Sequence, residues 1–208
     1  MASIEYVTIE AAAAEAAAHF YAAAFGLDKQ VRTRTSEAPT SGFRGFTLSL
    51  TVSQPGNVRA LVDAAVAAGA TVIKPVARSL WGVGGTVQAP DGTIWKIATS
   101  AKKDTGPATK EFDSLVLLLG VADVAATKRY YLDQGLSVDK SFGSKYVQFT
   151  AEQGSITLGL YKRKALAKDA GVGPEGTGSH RIAIGSTTGP FTDPDGFAWE
   201  DASHALTT

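Results

Sequence analysis

The 208-residue chain reads as an α+β protein whose two halves follow one plan, and three observations predict this. The closing stretch "GPFTDPDGFAWEDA" (189–202) repeats "GTVQAPDGTIWKIA" (85–98) in Pro-Asp-Gly, two residues and Trp. The stretch "FYAAAFGL" (20–27) matches "RYYLDQGL" (129–136), placing Tyr21 on Tyr130 and Gly26 on Gly135, an offset of 109, against 104 for Pro90 and Pro194. Two motifs in one order at nearly one offset argue for tandem duplication, where a single match could be shared turn chemistry. Third, each half opens with a short apolar run of strand type and then a helical pattern. One matched position is reversed in charge: the residue after Trp is Lys96 in one copy and Glu200 in the other.

Taken in order, "IEYVTIE" is a strand and "AAEAAAHFYAAAF" a helix that stops at Gly26. "KQVRTRT" and "FTLSLTV" are strands. In "SQPGNVRALVDAAVAAG", Val58, Leu61, Val62, Ala65 and Val66 form one helical stripe ending at Gly69. "ATVIKPV" and "GGTVQAPDGTIWKIA" predict a strand and a hairpin turned at Asp-Gly. "AKKDTGPATKE" (101–111) is charged and contains Gly and Pro, which marks a linker between halves at 1–100 and 112–208. The second half starts with strand "SLVLLLGV" and helix "DVAATKRYYLDQ", capped at Asp123 and stopped at Gly135. Strands "SVDKSF", "KYVQFTAE" and "SITLGLYKR" follow, then a polar, Gly-rich loop (165–179) and strand "HRIAIGS". The first half thus lacks an early strand pair, and the second a late helix and strand.

Twenty Lys plus Arg balance twenty Asp plus Glu, so no net field draws the chain to nucleic acid or to an anionic membrane. With no cysteine, disulfides, zinc–thiolate sites and thiol catalysis are excluded. Glu5, Glu10 and Glu15 interrupt any apolar run near the start, and no basic n-region precedes it; a cytoplasmic protein is expected. "GVGPEGTGS" (171–179) lacks the Gly-Lys-Ser/Thr ending of a phosphate loop, and Gly-x-Ser-x-Gly is absent.

The helix ending in "FYAAAFGL", the stretch "VRALVDAAVAAGATVIKP" and the closing Pro-Asp-Gly-x-x-Trp-Glu resemble the vicinal oxygen chelate superfamily. This is the group of glyoxalase I, bleomycin-resistance and fosfomycin-resistance proteins and extradiol dioxygenases. The resemblance implies paired βαβββ modules whose curled mixed sheets surround a cleft. One complete module falls in each half, about 44–100 and 112–163, and each is flanked by a clipped one; the clipped pieces are expected to complete each other.

In metal-using members the resemblance implies two histidines and one or two glutamates, from the first and last strands of modules. These ligands leave two open positions for vicinal substrate oxygens. Residue by residue, the first half offers Tyr6, Thr47 or Phe46, and Lys96. The second offers Leu115 or Ser114, then Thr157, His180 and Glu200. Only His180 and Glu200 keep ligand types, and a site of this kind uses three or more protein ligands. His180 and Glu200 are therefore expected as a polar pair facing a cleft, either substrate handles, an acid–base pair or part of a metal site. Asp201 and His204 read as exposed tail residues and His19 as a helix histidine. The cleft of the second half is expected between Tyr146, Phe149, Tyr161, Phe197 and Trp199. Tyr161, Tyr146, Trp199 and Trp81, the last in the loop "SLWGVGG", are the expected ligand contacts.

The function implied is binding of a small apolar or aromatic organic molecule, by a monomer or homodimer, without a standard metal centre. Two alternatives stay open. One is a lyase of glyoxalase type or a dioxygenase using nickel, zinc, iron or manganese on His180 and Glu200. The other is a structural or interaction module without a ligand.

Overall fold

The structure is a computed structural model and describes residues 2–202; His204 lies outside the described residues. In chain order the elements are β1 (Ile4–Ala11), α1 (Ala14–Phe25), β2 (Val31–Thr35), β3 (Thr40–Gly42), β4 (Phe46–Thr51), α2 (Pro55–Ala67), β5 (Thr71–Ser79), β6 (Gly82–Gln88) and β7 (Ile94–Thr99). Then follow β8 (Ser114–Val121), α3 (Val124–Asp133), β9 (Val138–Phe142), β10 (Tyr146–Phe149), β11 (Thr157–Lys162), α4 (Arg163–Ala170), β12 (Gly176–Gly178), β13 (Ile182–Ser186), β14 (Phe191–Thr192) and β15 (Ala198–Asp201).

Two complete βαβββ modules, β4-α2-β5-β6-β7 and β8-α3-β9-β10-β11, form an eight-stranded sheet of order β5-β6-β7-β4-β8-β11-β10-β9. In each module the first strand runs parallel to the last, Leu48 beside Trp95 and Leu118 beside Gly159. The modules join antiparallel through β4 and β8, with Leu48 opposite Leu117. Their extents agree with the expected 44–100 and 112–163.

The clipped pieces make a second sheet of order β14-β15-β13-β1-β2. Here β1 is parallel to β2 and β13 to β15, while β1 and β13 pair antiparallel, repeating the plan of the larger sheet. By that plan β2 occupies the last-strand slot, so β1-α1-β2 lacks the two middle strands. The piece β13-β14-β15 lacks its helix and one strand. The two pieces therefore complete each other.

Each helix ends as its residues dictate. Gly26 and Gly171 stop α1 and α4 in the left-handed conformation, at φ 66 and 86. The Asp123 carboxylate caps α3 by accepting from the amides of Ala125 and Ala126. The segment 165–179 differs from the expected loop: its first part continues α4 and its last part pairs as β12 with β3. Leu166, Ala167 and Ala170 give α4 one short apolar face, hidden in the sequence among Arg163, Lys164, Lys168 and Asp169.

The Pro-Asp-Gly-x-x-Trp stretches brace helices against sheets. Trp95 on β7 lies 5.5 Å from the Tyr21 ring and 4.6 Å from the Phe25 ring of α1. Trp199 on β15 lies 5.0 Å from Tyr131 of α3. The hydroxyls of Tyr21 and Tyr131 donate to the carboxylates of Asp91 and Asp193 beside those turns. Burial and the adjacent carboxylate push both phenols well above the usual tyrosine range. Tyr131 thus fills the role of Tyr21, one residue on from the Tyr130 that the sequences align with it.

Candidate functional site

Period-two alternation assigns the faces of the eight-stranded sheet. Leu48, Leu50, Trp95, Ile97, Leu117 and Leu119 belong to the main core, shared with α1–α3. Between them Thr47, Ser49, Ile94, Lys96, Val116 and Leu118 point to the opposite, inner face. Helix α4 lies on that face: Leu166, Ala167 and Ala170 pack with Phe43, Ile94 and Leu118 in a second, smaller core.

Polar contacts hold both ends of α4. Arg163 donates from Nε to the Pro174 carbonyl at 2.9 Å, and from Nη2 to the Phe43 carbonyl. At the other end Lys74 Nζ donates to the carbonyls of Lys168 and Asp169 at 3.1 and 2.6 Å. Lys96 Nζ reaches both Asp169 carboxylate oxygens, at 2.8 and 2.6 Å. The position that changed charge in the sequence thus carries a cation that grips the last turn of this helix.

Beside α4 a cleft of about 530 Å³ remains over β5, β6 and β7. It exists because the paired inner-face residues Gly84 and Ala98 are small. Pro75, Ala77, Trp81, Val83 and Ala98 supply its apolar wall. Its charged lining is Lys74, Arg78 and Lys96 against Asp169 alone. Trp81, at the turn between β5 and β6, is 84% exposed, whereas Trp95 and Trp199 are 0% and 2% exposed.

The expected residues are dispersed. His180 precedes β13, stacks on Phe197 at 4.0 Å, and bonds through Nδ1 to the Arg44 carbonyl at 2.5 Å and through Nε2 to the Asp195 carbonyl at 3.1 Å. Glu200 sits on β15 opposite Gly185, five residues along from His180, and accepts from Arg34 Nη1 at 2.6 Å. Arg34 Nη2 meets Glu10 at 2.6 Å, and these two hydrogen bonds raise its guanidinium further above its ordinary value. His180 and Glu200 therefore form no pair.

Tyr6 lies over Gly185, where a Cβ would come within 2.3 Å of its ring, and Arg32 stacks 3.6 Å from the ring centroid. Trp199 faces the core, against Tyr131 and Phe191, and Phe149 and Phe197 are buried with it; the expected cleft between them does not form. Tyr146 and Tyr161 share the inner face with rings 4.8 Å apart and pack against the α4 cluster. Burial, then Tyr161 and Asp139, push Tyr146 up to about 12; burial, then Asp169, raises Tyr161. Of the four expected ligand contacts, only Trp81 lines the cleft beside α4.

A divalent metal does not fit this donor set. Among the described residues no three His, Asp or Glu side chains are grouped to hold one. Both His180 nitrogens face carbonyl oxygens, Glu200 is bound to a guanidinium, and the remaining expected positions hold Tyr, Thr, Phe, Leu, Ser or Lys. The lining residues Lys74 and Asp169 escaped the sequence reading. Their signal was slight: an acid just before the helix stop "DAG", where the helix dipole disfavours it.

No family model and no curated protein matches the sequence. Solved structures do. Glyoxalase I from Zea mays superposes with a TM-score of 0.62 at 14% identity, covering 99% of this chain and 94% of that one. A putative dioxygenase from Bacillus subtilis gives 0.54 at 14% identity, over 88% of this chain and 69% of that one. The likeness is one of fold: the chain has the mixed α+β fold of curled βαβββ modules found in the vicinal oxygen chelate superfamily. No helix among the described residues is long and apolar enough to cross a membrane.

Proposed function

We propose that this chain, which has the vicinal oxygen chelate fold, is a binding protein for a small apolar or aromatic organic molecule, taken up without a metal centre in the cleft beside α4. The observation that carries this reading is the cleft itself. It pairs a floor of small residues, Gly84 and Ala98, with an exposed indole at its rim, Trp81. An indole left in water beside a concave apolar surface gains stability when a second apolar body covers it, by about 25 cal/mol for each Å² removed from water. The cleft volume suits a ligand of one or two rings.

The packing of α4 on the inner face favours a second reading, a module whose cleft is closed by its own helix and that takes no ligand. One experiment separates the two. Of the three tryptophans only Trp81 is exposed, so ligand-dependent changes in indole emission report on the cleft. A panel of neutral aromatic and alicyclic amides is titrated while emission and melting temperature are followed. A saturable blue shift with a raised melting temperature, absent in Trp81→Ala, is expected. A panel that moves neither quantity would leave the ligand-free reading standing.

A further inference from the structure

The cleft beside α4 already contains one bound carboxylate, that of Asp169. We infer that Asp169 holds the place of a ligand's acidic group and that Lys96 is the cation that receives it, so that the site takes apolar or aromatic acids. This rests on the reading of the cleft as a binding site.

Three features lead to it. The charged lining of the cleft has three cations to one anion, so a neutral ligand leaves positive charge uncompensated and an acidic one does not. Lys96 meets both Asp169 oxygens, at 2.8 and 2.6 Å, which is how an ammonium holds any carboxylate. Asp169 stands in the last turn of α4, where the helix dipole disfavours an acid. Among the described residues its side chain hydrogen-bonds to Lys96, while Lys74 secures the helix end through backbone carbonyls instead.

The exchange is physically easy. The Lys96 and Asp169 side chains are 32% and 47% exposed, and a solvated pair of this kind holds weakly. When a ligand carboxylate takes Lys96, α4 keeps its apolar face and its Arg163 anchor but loses one hold on its last turn. Ligand binding and loosening of residues 168–171 are then coupled, since both compete for one ammonium.

The test compares naphthoate with its uncharged counterpart naphthamide, by calorimetric titration, on the wild-type chain, Asp169→Asn and Lys96→Met. If Asp169 occupies Lys96 about nine-tenths of the time, its removal tightens naphthoate about tenfold and leaves naphthamide within about twofold. Lys96→Met removes the preference for the acid. In the wild type, naphthoate but not naphthamide speeds amide exchange at residues 168–171. Melting curves establish that both variants are folded, and Lys96→Gln serves if Lys96→Met is not. Equal effects of Asp169→Asn on the two compounds overturn the inference and leave the cleft reading intact. Failure of either compound to bind any of the variants overturns both.

Discussion

The inner faces of the two sheets carry opposite charges at matched positions, and each charge is met from within the chain. On β7, Lys96 takes the carboxylate of Asp169. On β15, Glu200 takes the guanidinium of Arg34, which also holds Glu10. The difference lies in where the partner comes from. Arg34 stands on β2 of the same sheet, fixed by the ladder between β1 and β2, and it reaches Glu200 past two intervening strands because the sheet curls. In a flat sheet those strands would lie about 14 Å apart. Asp169 instead rides on a separate short helix, so the pair on the larger sheet can part without breaking a strand ladder. One face is closed by the sheet itself and the other by a helix laid on top. Only the second has a cleft beside it with an exposed indole.

The comparison breaks first at the braces behind these faces. Trp95 and Trp199 are both buried, and replacing either by alanine should cost about 3–5 kcal/mol in urea unfolding. A loss below about 1 kcal/mol at either position would mean that its sheet is not held by its helix.

A smaller effect tests the paired hydroxyls. Tyr21→Phe and Tyr131→Phe each leave one carboxylate oxygen without its phenol donor, while the other oxygen keeps its backbone amides, at a cost of about 1–3 kcal/mol. Both phenols are raised in the folded chain above the ordinary value of 10.0, so the folded state keeps protons that the unfolded state releases. Their contribution is complete below that value and is lost as pH rises above it. The urea midpoint of the wild type should therefore fall from about pH 10 upward, and each Phe variant should flatten that fall. An unchanged slope in both variants would assign alkaline loss of stability to other groups.

The smallest expected effect sharpens the contrast itself. Arg34→Met breaks two partly exposed pairs and should cost about 0–1 kcal/mol for each, shrinking as salt is added. A loss above about 3 kcal/mol that salt does not change would make the arginine bridge part of the smaller sheet's framework.

Much of the fold was legible. The alternation of "FTLSLT", the apolar run "SLVLLLGV", the Asp-Gly hairpin turn, and helix stops at Gly26 and Gly135 are local signals that burial reinforced. The missing strands of one half and the missing helix of the other were countable, so the mutual completion of the clipped pieces could be expected. The site was not legible to the same degree. In "VRTRT" the alternation puts Arg32 and Arg34 on one face, but which carboxylate Arg34 meets depends on sheet curl. The bonds of His180 run to carbonyls of Arg44 and Asp195, on segments that only the tertiary fold brings together. The stripe of α4 is three residues among charges, and what it covers is set by the sheet beneath it.

The pairing of β1 with β13 has a consequence during synthesis of the chain. About 150 residues separate the end of β2 from the start of β13. At roughly 5–20 residues per second, the ribosome needs about 8 to 30 s to cover that distance. Through that interval β1 has β2 on one side and an open edge on the other, which Ile9 and Val7 will later share with Ile182 and Ile184. The strands of the larger sheet wait less, since β4 meets β8 after only about 60 further residues. The nascent chain therefore carries an unpaired apolar edge on β1 until β13 emerges, and factors that shield strand edges have most to offer it in that interval.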